Sequence, residues 1–168
     1  MTDTKTRILD ADQIQKRINR IAYEIYENNW DEKSIVMVGI AKRGSELAKR
    51  VADKVHDISD IKVVLGEISM NKSNPLESEV ELSLDKKDLK NKSIVLVDDV
   101  LNSGKTLIYA AKILLRQPIK SMSTVVLVDR KHRRFPIKAD FVGLTLSTTL
   151  QEHINVDLKK GNEAVYLE

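Results

Sequence analysis

The chain has 168 residues, 42% apolar and 32% charged, with Lys+Arg 28 against Asp+Glu 25, a net charge of +3 and no cysteine. That length suits one domain with a substantial core and is too short for two ordinary ones. The composition excludes a disulfide framework, a thiol nucleophile and a cysteine-based zinc site, offers no apolar run near the ~20 residues of a membrane span, and carries too little excess charge to imply nucleic acid by itself.

The polar opening Met1-Thr2-Asp3-Thr4-Lys5 has no apolar signal core, so a cytoplasmic location is expected. Asp10 followed by Gln13 predicts a capping box, and Ile14, Ile18, Ile21 and Ile25 then recur at helical spacing, which predicts a helix over 11–28. Ile35-Val36-Met37-Val38 predicts a buried strand within 34–41. Gly39 and Gly44 bracket a short basic stretch that reads as a loop, with Lys42 and Arg43 just ahead of the next helix (Leu47, Ala48, Val51, Val55). A second strand is expected over 61–70 and a turn with Asn-Pro over 71–78. Val80, Leu82 and Leu84 alternate with polar residues, as in a half-exposed returning strand. The charged stretch 85–91 reads as a surface connection.

The most informative stretch runs from Ser93 to Thr106. Four apolar residues, Ile94 to Val97, lead into Asp98 and Asp99, and the small, hydroxyl-bearing loop Val100-Leu101-Asn102-Ser103-Gly104-Lys105-Thr106 follows. A run of this kind predicts a strand buried on both faces, with the two acids at its carboxyl end, where open α/β sheets bind ligands. The loop opens a helix with Leu107, Ala110, Ala111 and Leu114 inward, ended by Pro118. A helix N-terminus favours phosphate. The loop is not a Walker motif, because Asp99 stands where the first glycine would fall. Two adjacent carboxylates repel, so their placement at a buried strand end has a cost that a diol-bearing ligand, or Mg²⁺ held through it, would offset.

Thr124 to Val128 predicts another buried strand ending at Asp129-Arg130, followed by the basic run Lys131-His132-Arg133-Arg134. Strands are expected over 141–146 and 164–167. His56, His132 and His153 show no metal-ligand spacing, and Tyr26 and Trp30 read as packing. Strands alternating with helices predict a single α/β domain over 1–168, a mainly parallel twisted sheet with helices on both faces.

Ile94 to Thr106 resembles the phosphoribosyl pyrophosphate (PRPP) motif of the type I phosphoribosyltransferases, with Ser103-Gly104 for the usual Thr-Gly. Further stretches, among them Val38-Gly39-Ile40, Arg43-Gly44, Leu47-Ala48-Lys49-Arg50, Gly66-Glu67-Ile68 and Leu127-Val128-Asp129-Arg130, extend the resemblance over nearly the whole chain, to the PyrR branch of pyrimidine-operon regulators and uracil phosphoribosyltransferases. The resemblance implies the type I phosphoribosyltransferase fold with a small hood, including an insertion at about 67–88. It implies transfer of ribose 5-phosphate from PRPP to a nucleobase, uracil foremost, with Mg²⁺ and release of pyrophosphate. Asp98 and Asp99 would bind the ribose hydroxyls and Val100 to Thr106 the 5-phosphate. Ala41, Lys42, Arg43 and Gly44 would form the pyrophosphate loop, with a cis peptide between Lys42 and Arg43. Asp129, Arg130 and Leu150 would flank the base. A homodimer or higher assembly is implied, and RNA is a secondary partner. The alternative is a PyrR-like RNA-binding or nucleotide-sensing regulator with weak or no transfer. The stretches Ser69 to Asn74, Asn19 to Tyr23 and Ser147 to Leu150 depart from the PyrR pattern in the hood, the first-helix RNA residues and the base cover.

Overall fold

The expected capping box sets the first helix. In the computed structural model, which describes residues 4–168, the Asp10 carboxylate accepts the Gln13 N–H at 2.8 Å and the Gln13 side chain accepts the Asp10 N–H at 2.9 Å. The chain then runs β1 (Thr6–Leu9), α1 (Ala11–Asn28), β2 (Ser34–Ile40), α2 (Ala41–Ile58), β3 (Lys62–Ser69), β4 (Glu81–Leu82), α3 (Lys86–Leu89), β5 (Ser93–Leu101), α4 (Lys105–Leu114), β6 (Ser121–Asp129), β7 (Phe141–Thr145), β8 (Ile154–Asp157) and β9 (Ala164–Leu167). The polar residues 1–3 lie outside the described residues.

A six-stranded sheet, ordered β4-β3-β2-β5-β6-β7, forms the centre, and only β4 runs antiparallel to its neighbour. The expected α/β class is therefore observed. The continuous apolar runs of β2, β5 and β6 are buried because helices cover both faces. Ile35, Met37, Val95 and Val97 pack with α1 and α2, while Val36, Val38, Ile94 and Leu96 pack with α4 and Leu89 of α3. The period of two in each strand thus feeds two separate cores. Stretch 85–91 is more than a surface connection, since it holds the one-turn helix α3, which buries Leu89.

A second, antiparallel sheet, β1-β9-β8, joins the two ends of the chain. Its Leu9, Val156 and Val165 enter the core on the α1/α2 side. Arg50 of α2 fixes it there, donating to the Leu158 carbonyl at 2.5 Å and to Glu163 at 3.2 Å.

The order of strands places the functional region. The chain passes from β2 to β3 on one side, then crosses to β5 and β6 on the other, so β2 and β5 flank a topological switch point. A crevice at the carboxyl ends of such strands is the expected ligand site. Gly39 of β2 lies opposite Val97 of β5, so Ala41–Arg43 and Asp98–Asp99 emerge side by side.

Candidate active site

Asp98 and Asp99 lie near the end of β5, buried from Ser93 to Asp99, and are 2% and 5% exposed. The Asp99 N–H donates to the Asp98 carboxylate at 2.9 Å, which fixes the first acid. Beyond them the chain turns at Gly104, whose φ of +87° is open to glycine and costly for other residues. A side chain there would also meet the Ile137 methyl at 2.7 Å. The Ser103 hydroxyl accepts the Lys105 N–H at 3.2 Å, and α4 begins. Its first-turn amides are the polar groups that a helix leaves for a ligand.

The opposite wall differs from the expected loop. Lys42 and Arg43 lie in the first turn of α2, which starts at Ala41 directly after β2. No peptide among the described residues is cis, so the expected cis bond between Lys42 and Arg43 is replaced by a trans one. The tight turn comes instead from Ala41, which takes φ +53°. A non-glycine residue there costs roughly 1–2 kcal/mol. Gly39 and Gly44 are not loop punctuation; they let α2 lie against the sheet. A Cβ on Gly39 would fall 2.4 Å from Ser45 Cα, and one on Gly44 would fall 2.8 Å from the Val97 carbonyl oxygen. This close approach brings Arg43 Nη1 to 3.9 Å from Asp99.

Between these walls lies a cavity of about 610 Å³. Ala41, Lys42, Arg43, Asp98, Asp99, Val100, Asn102, Ser103, Lys105 and Thr106 all line it. Leu101 and Gly104 line a small adjoining pocket. Three residues complete the wall without any signal in the sequence: Lys72, Ser73 and Ile154. Lys72 reaches from the 71–78 turn, its Nζ donating to Asp98 at 2.7 Å and to Asp99 at 3.5 Å. Only the turn itself was legible, as Asn71 accepts the N–H groups of Ser73 and Asn74. A second cavity, about 550 Å³, lies behind Lys42 and Arg43 against β8 and β9, away from the acid pair.

Burial pushes the Asp98 carboxyl up to about 7; the Asp99 charge adds to the shift and the Lys72 ammonium offsets part of it. For Lys72, burial disfavours the charge, but the two carboxylates outweigh burial and hold its pKa above the ordinary lysine value. An acid whose folded pKa lies above its unfolded value of 3.8 makes the protein most stable while protonated. Stability therefore falls as pH rises from about 4 to about 7 and stays lower above that. Asp98→Asn removes this penalty. Its thermal stability relative to the wild type is expected to rise across that window, reaching a gain of about 2–4 kcal/mol at about pH 8. Melting curves giving the same difference at about pH 4 and about pH 8 would contradict this assignment.

Asp129, Arg130 and Leu150 do not line the cavity. Asp129 is bound by the Arg133 guanidinium at 2.6 Å and by the Lys131 N–H at 2.9 Å. Buried Arg130 donates to Asn102 at 2.8 Å, to Thr148 at 2.9 Å and to the carbonyls of Thr149 and Glu152. It thus ties the 100–106 loop to segment 148–152. His132 contacts the Thr148 carbonyl oxygen at 2.6 Å, and the N–H groups of Arg134 and Phe135 donate to the Ser103 carbonyl. Within the basic run the side chains of His132 and Arg133 make internal bonds, while Lys131 and Arg134 are held through their backbone N–H groups and keep exposed side chains. Leu150 is 81% exposed, whereas Ile154 reaches the cavity wall.

Comparison with known proteins agrees with this geometry. The family model of the phosphoribosyl transferase domain matches residues 4–159. The chain is 36% identical over 163 residues to the bifunctional protein PyrR of Pediococcus pentosaceus, covering 91% of this chain and 92% of that protein. It is 38% identical over 165 residues to the bifunctional protein PyrR of Clostridium acetobutylicum, covering 92% and 91%. Its fold is similar to that of the hypoxanthine phosphoribosyltransferase of Trypanosoma cruzi, with a TM-score of 0.78 at 18% identity, covering 96% of this chain and 95% of that one. No helix among the described residues is long and apolar enough to cross a membrane.

Proposed function

The chain belongs to the phosphoribosyl transferase family, with PyrR proteins among its relatives, and on that premise we propose that it transfers ribose 5-phosphate from PRPP to uracil, releasing pyrophosphate. The observation that carries this reading is the buried pair Asp98–Asp99 at the switch point, between the α4 N-terminus and Arg43. Ionised carboxylates accept hydrogen bonds from two adjacent hydroxyls, and a helix start with Ser103 and Thr106 receives a phosphate. Both features line the same cavity, as a sugar carrying a phosphate requires.

The reaction is substitution at the ribose C1. A nitrogen of the base forms the new bond, and the bond from C1 to the diphosphate oxygen breaks. Asp98 and Asp99 hold the 2′- and 3′-hydroxyls. The Val100–Thr106 loop anchors the 5-phosphate, so C1 stays fixed while charge develops on it. Lys42 and Arg43 face the leaving diphosphate and offset its growing charge. Asp98 and Asp99, hard oxygen donors that already contact the Lys72 ammonium, would hold a magnesium ion together with the donor, and that ion would supply positive charge at the diphosphate.

In this reading, residues 67–88 form a cover that opens for the donor and then closes to exclude water; in the ligand-free protein its Lys72 and Ser73 stand at the cavity wall. Asp129 and Arg130 shape the base pocket through Arg133 and segment 148–152, and Leu150 folds over a bound base. The reading includes a cytoplasmic protein that assembles as a homodimer or larger. For RNA as partner, Arg17 and Arg20 of α1 give little support. They donate to the Val142 and Gly143 carbonyls of β7 and so anchor α1 to the sheet edge.

A turnover screen tests the proposal, with PRPP, Mg²⁺ and each of uracil, hypoxanthine, guanine, xanthine and adenine. Uridine monophosphate and pyrophosphate are expected from uracil. Turnover with a purine and none with uracil would overturn the choice of base. Nucleotide binding without any turnover would favour the regulator.

A further inference from the structure

We propose that Lys72 is a latch, an internal cation that offsets one charge of the Asp98–Asp99 pair in the ligand-free protein, pins turn 71–78 over the cavity and is displaced when a ribose diol takes its place. This deepens the reading of the cavity as a ribose 5-phosphate site and rests on it. The acid pair is almost fully buried, and two adjacent carboxylates in that setting need a counter-charge. Arg43 comes no closer than 3.9 Å and is more than half exposed. The Lys72 ammonium, at 2.7 Å from Asp98 and 3.5 Å from Asp99, is the cation in direct contact. It comes from a segment otherwise held weakly. Residues 71–78 belong to no helix or strand, and Leu76 at their tip is 73% exposed. A second tie links the turn to the phosphate loop, where Lys105 Nζ donates to the Ser73 carbonyl at 3.4 Å.

The geometry makes the latch and the ligand mutually exclusive. The Lys72 ammonium sits against Oδ1 of both acids, on the cavity side where a ribose bound to the pair would lie. A ribose ring seated on them requires the ammonium to leave, and the turn with it. The latched form therefore lowers the apparent affinity by the fraction of molecules in which the site is open. The latch also keeps the acid pair partly compensated between turnovers and makes opening of turn 71–78 part of donor entry.

The test compares the wild type, Lys72→Gln and Lys72→Arg, with ribose 5-phosphate as the probe. That compound carries the diol and the phosphate but no diphosphate, so attraction between Lys72 and a leaving group cannot enter. Calorimetry is expected to give Lys72→Gln an affinity for ribose 5-phosphate about three- to tenfold higher than the wild type. Amide hydrogen exchange over 71–78 in the ligand-free variant should be faster, while Lys72→Arg should stay near the wild type in both measurements. Binding by the wild type with no gain, or a loss, in Lys72→Gln overturns the latch alone, as does unchanged exchange over 71–78. Failure of all three proteins to bind ribose 5-phosphate overturns the reading of the cavity together with the competition it implies.

Discussion

Replacing Asp98 and Asp99 together by asparagine is expected to lower kcat/KM for PRPP by about 10²- to 10⁴-fold while leaving the protein folded. The estimate assigns each carboxylate about 1.5–3 kcal/mol for a hydrogen bond made by a charged group. Asparagine keeps the shape, and its carbonyl oxygen can still accept the Asp99 N–H as Asp98 now does. Stability should change little, because relief of the repulsion between two adjacent buried charges offsets the loss of their ion pairs with Lys72, whose partly exposed side chain can turn to solvent. Steady-state kinetics beside a thermal melt separate the two effects. A variant that melts normally and keeps wild-type kcat/KM would show that the acid pair does not hold the donor.

Gly39→Ala is the second large effect expected, and it reaches the site through packing. The new methyl would lie 2.4 Å from Ser45 Cα and 2.6 Å from Ser45 N, both backbone atoms in the first turns of α2. No rotamer relieves a backbone clash, so α2 must move off β2. Overpacking of this kind costs about 3 kcal/mol, or roughly 8 °C in melting temperature for a domain of this size. The part of α2 that moves carries Lys42 and Arg43, so donor affinity should fall by about tenfold in the molecules that remain folded, as judged from a charge-assisted contact of about 1.5 kcal/mol. A melting temperature within 2 °C of the wild type, on the same scale of about 2–4 °C per kcal/mol, would contradict the packing explanation.

Both predictions fall where sequence and structure compare most instructively. The Asp10–Gln13 cap, the isoleucine stripe of α1 and the apolar runs of β2, β5 and β6 were legible because each signal is local. So was the acid pair with its phosphate loop, since one strand and one turn deliver all of its groups. The glycines at 39 and 44 gave a local signal with a non-local cause. They read as turn residues, and their role is to admit a helix against the sheet. Strands β1 and β8 have four residues each and no clear alternation. They exist because β9 pairs with both, and β1 comes from the far end of the chain.

The remaining differences have the same origin. Lys72 reaches Asp98 across 26 positions from an irregular turn, and no periodicity marks such a contact. The basic run 131–134 looked free by charge patterning, yet the Arg133 guanidinium is paired with Asp129, while the Lys131 and Arg134 side chains stay exposed. Leu150 was matched to a base-covering position by its place in the chain, while the side chain that reaches the cavity is Ile154, at the start of β8.

The central claim is that this cavity binds a phosphoribosyl donor through the acid pair and the α4 N-terminus. Calorimetric titration of the wild-type protein with PRPP in the presence of Mg²⁺ tests it most directly. The account predicts one saturable site per chain, competed by ribose 5-phosphate and lost in the Asp98→Asn, Asp99→Asn double variant. Absence of binding by the folded wild type, or binding that the double variant retains in full, would contradict it.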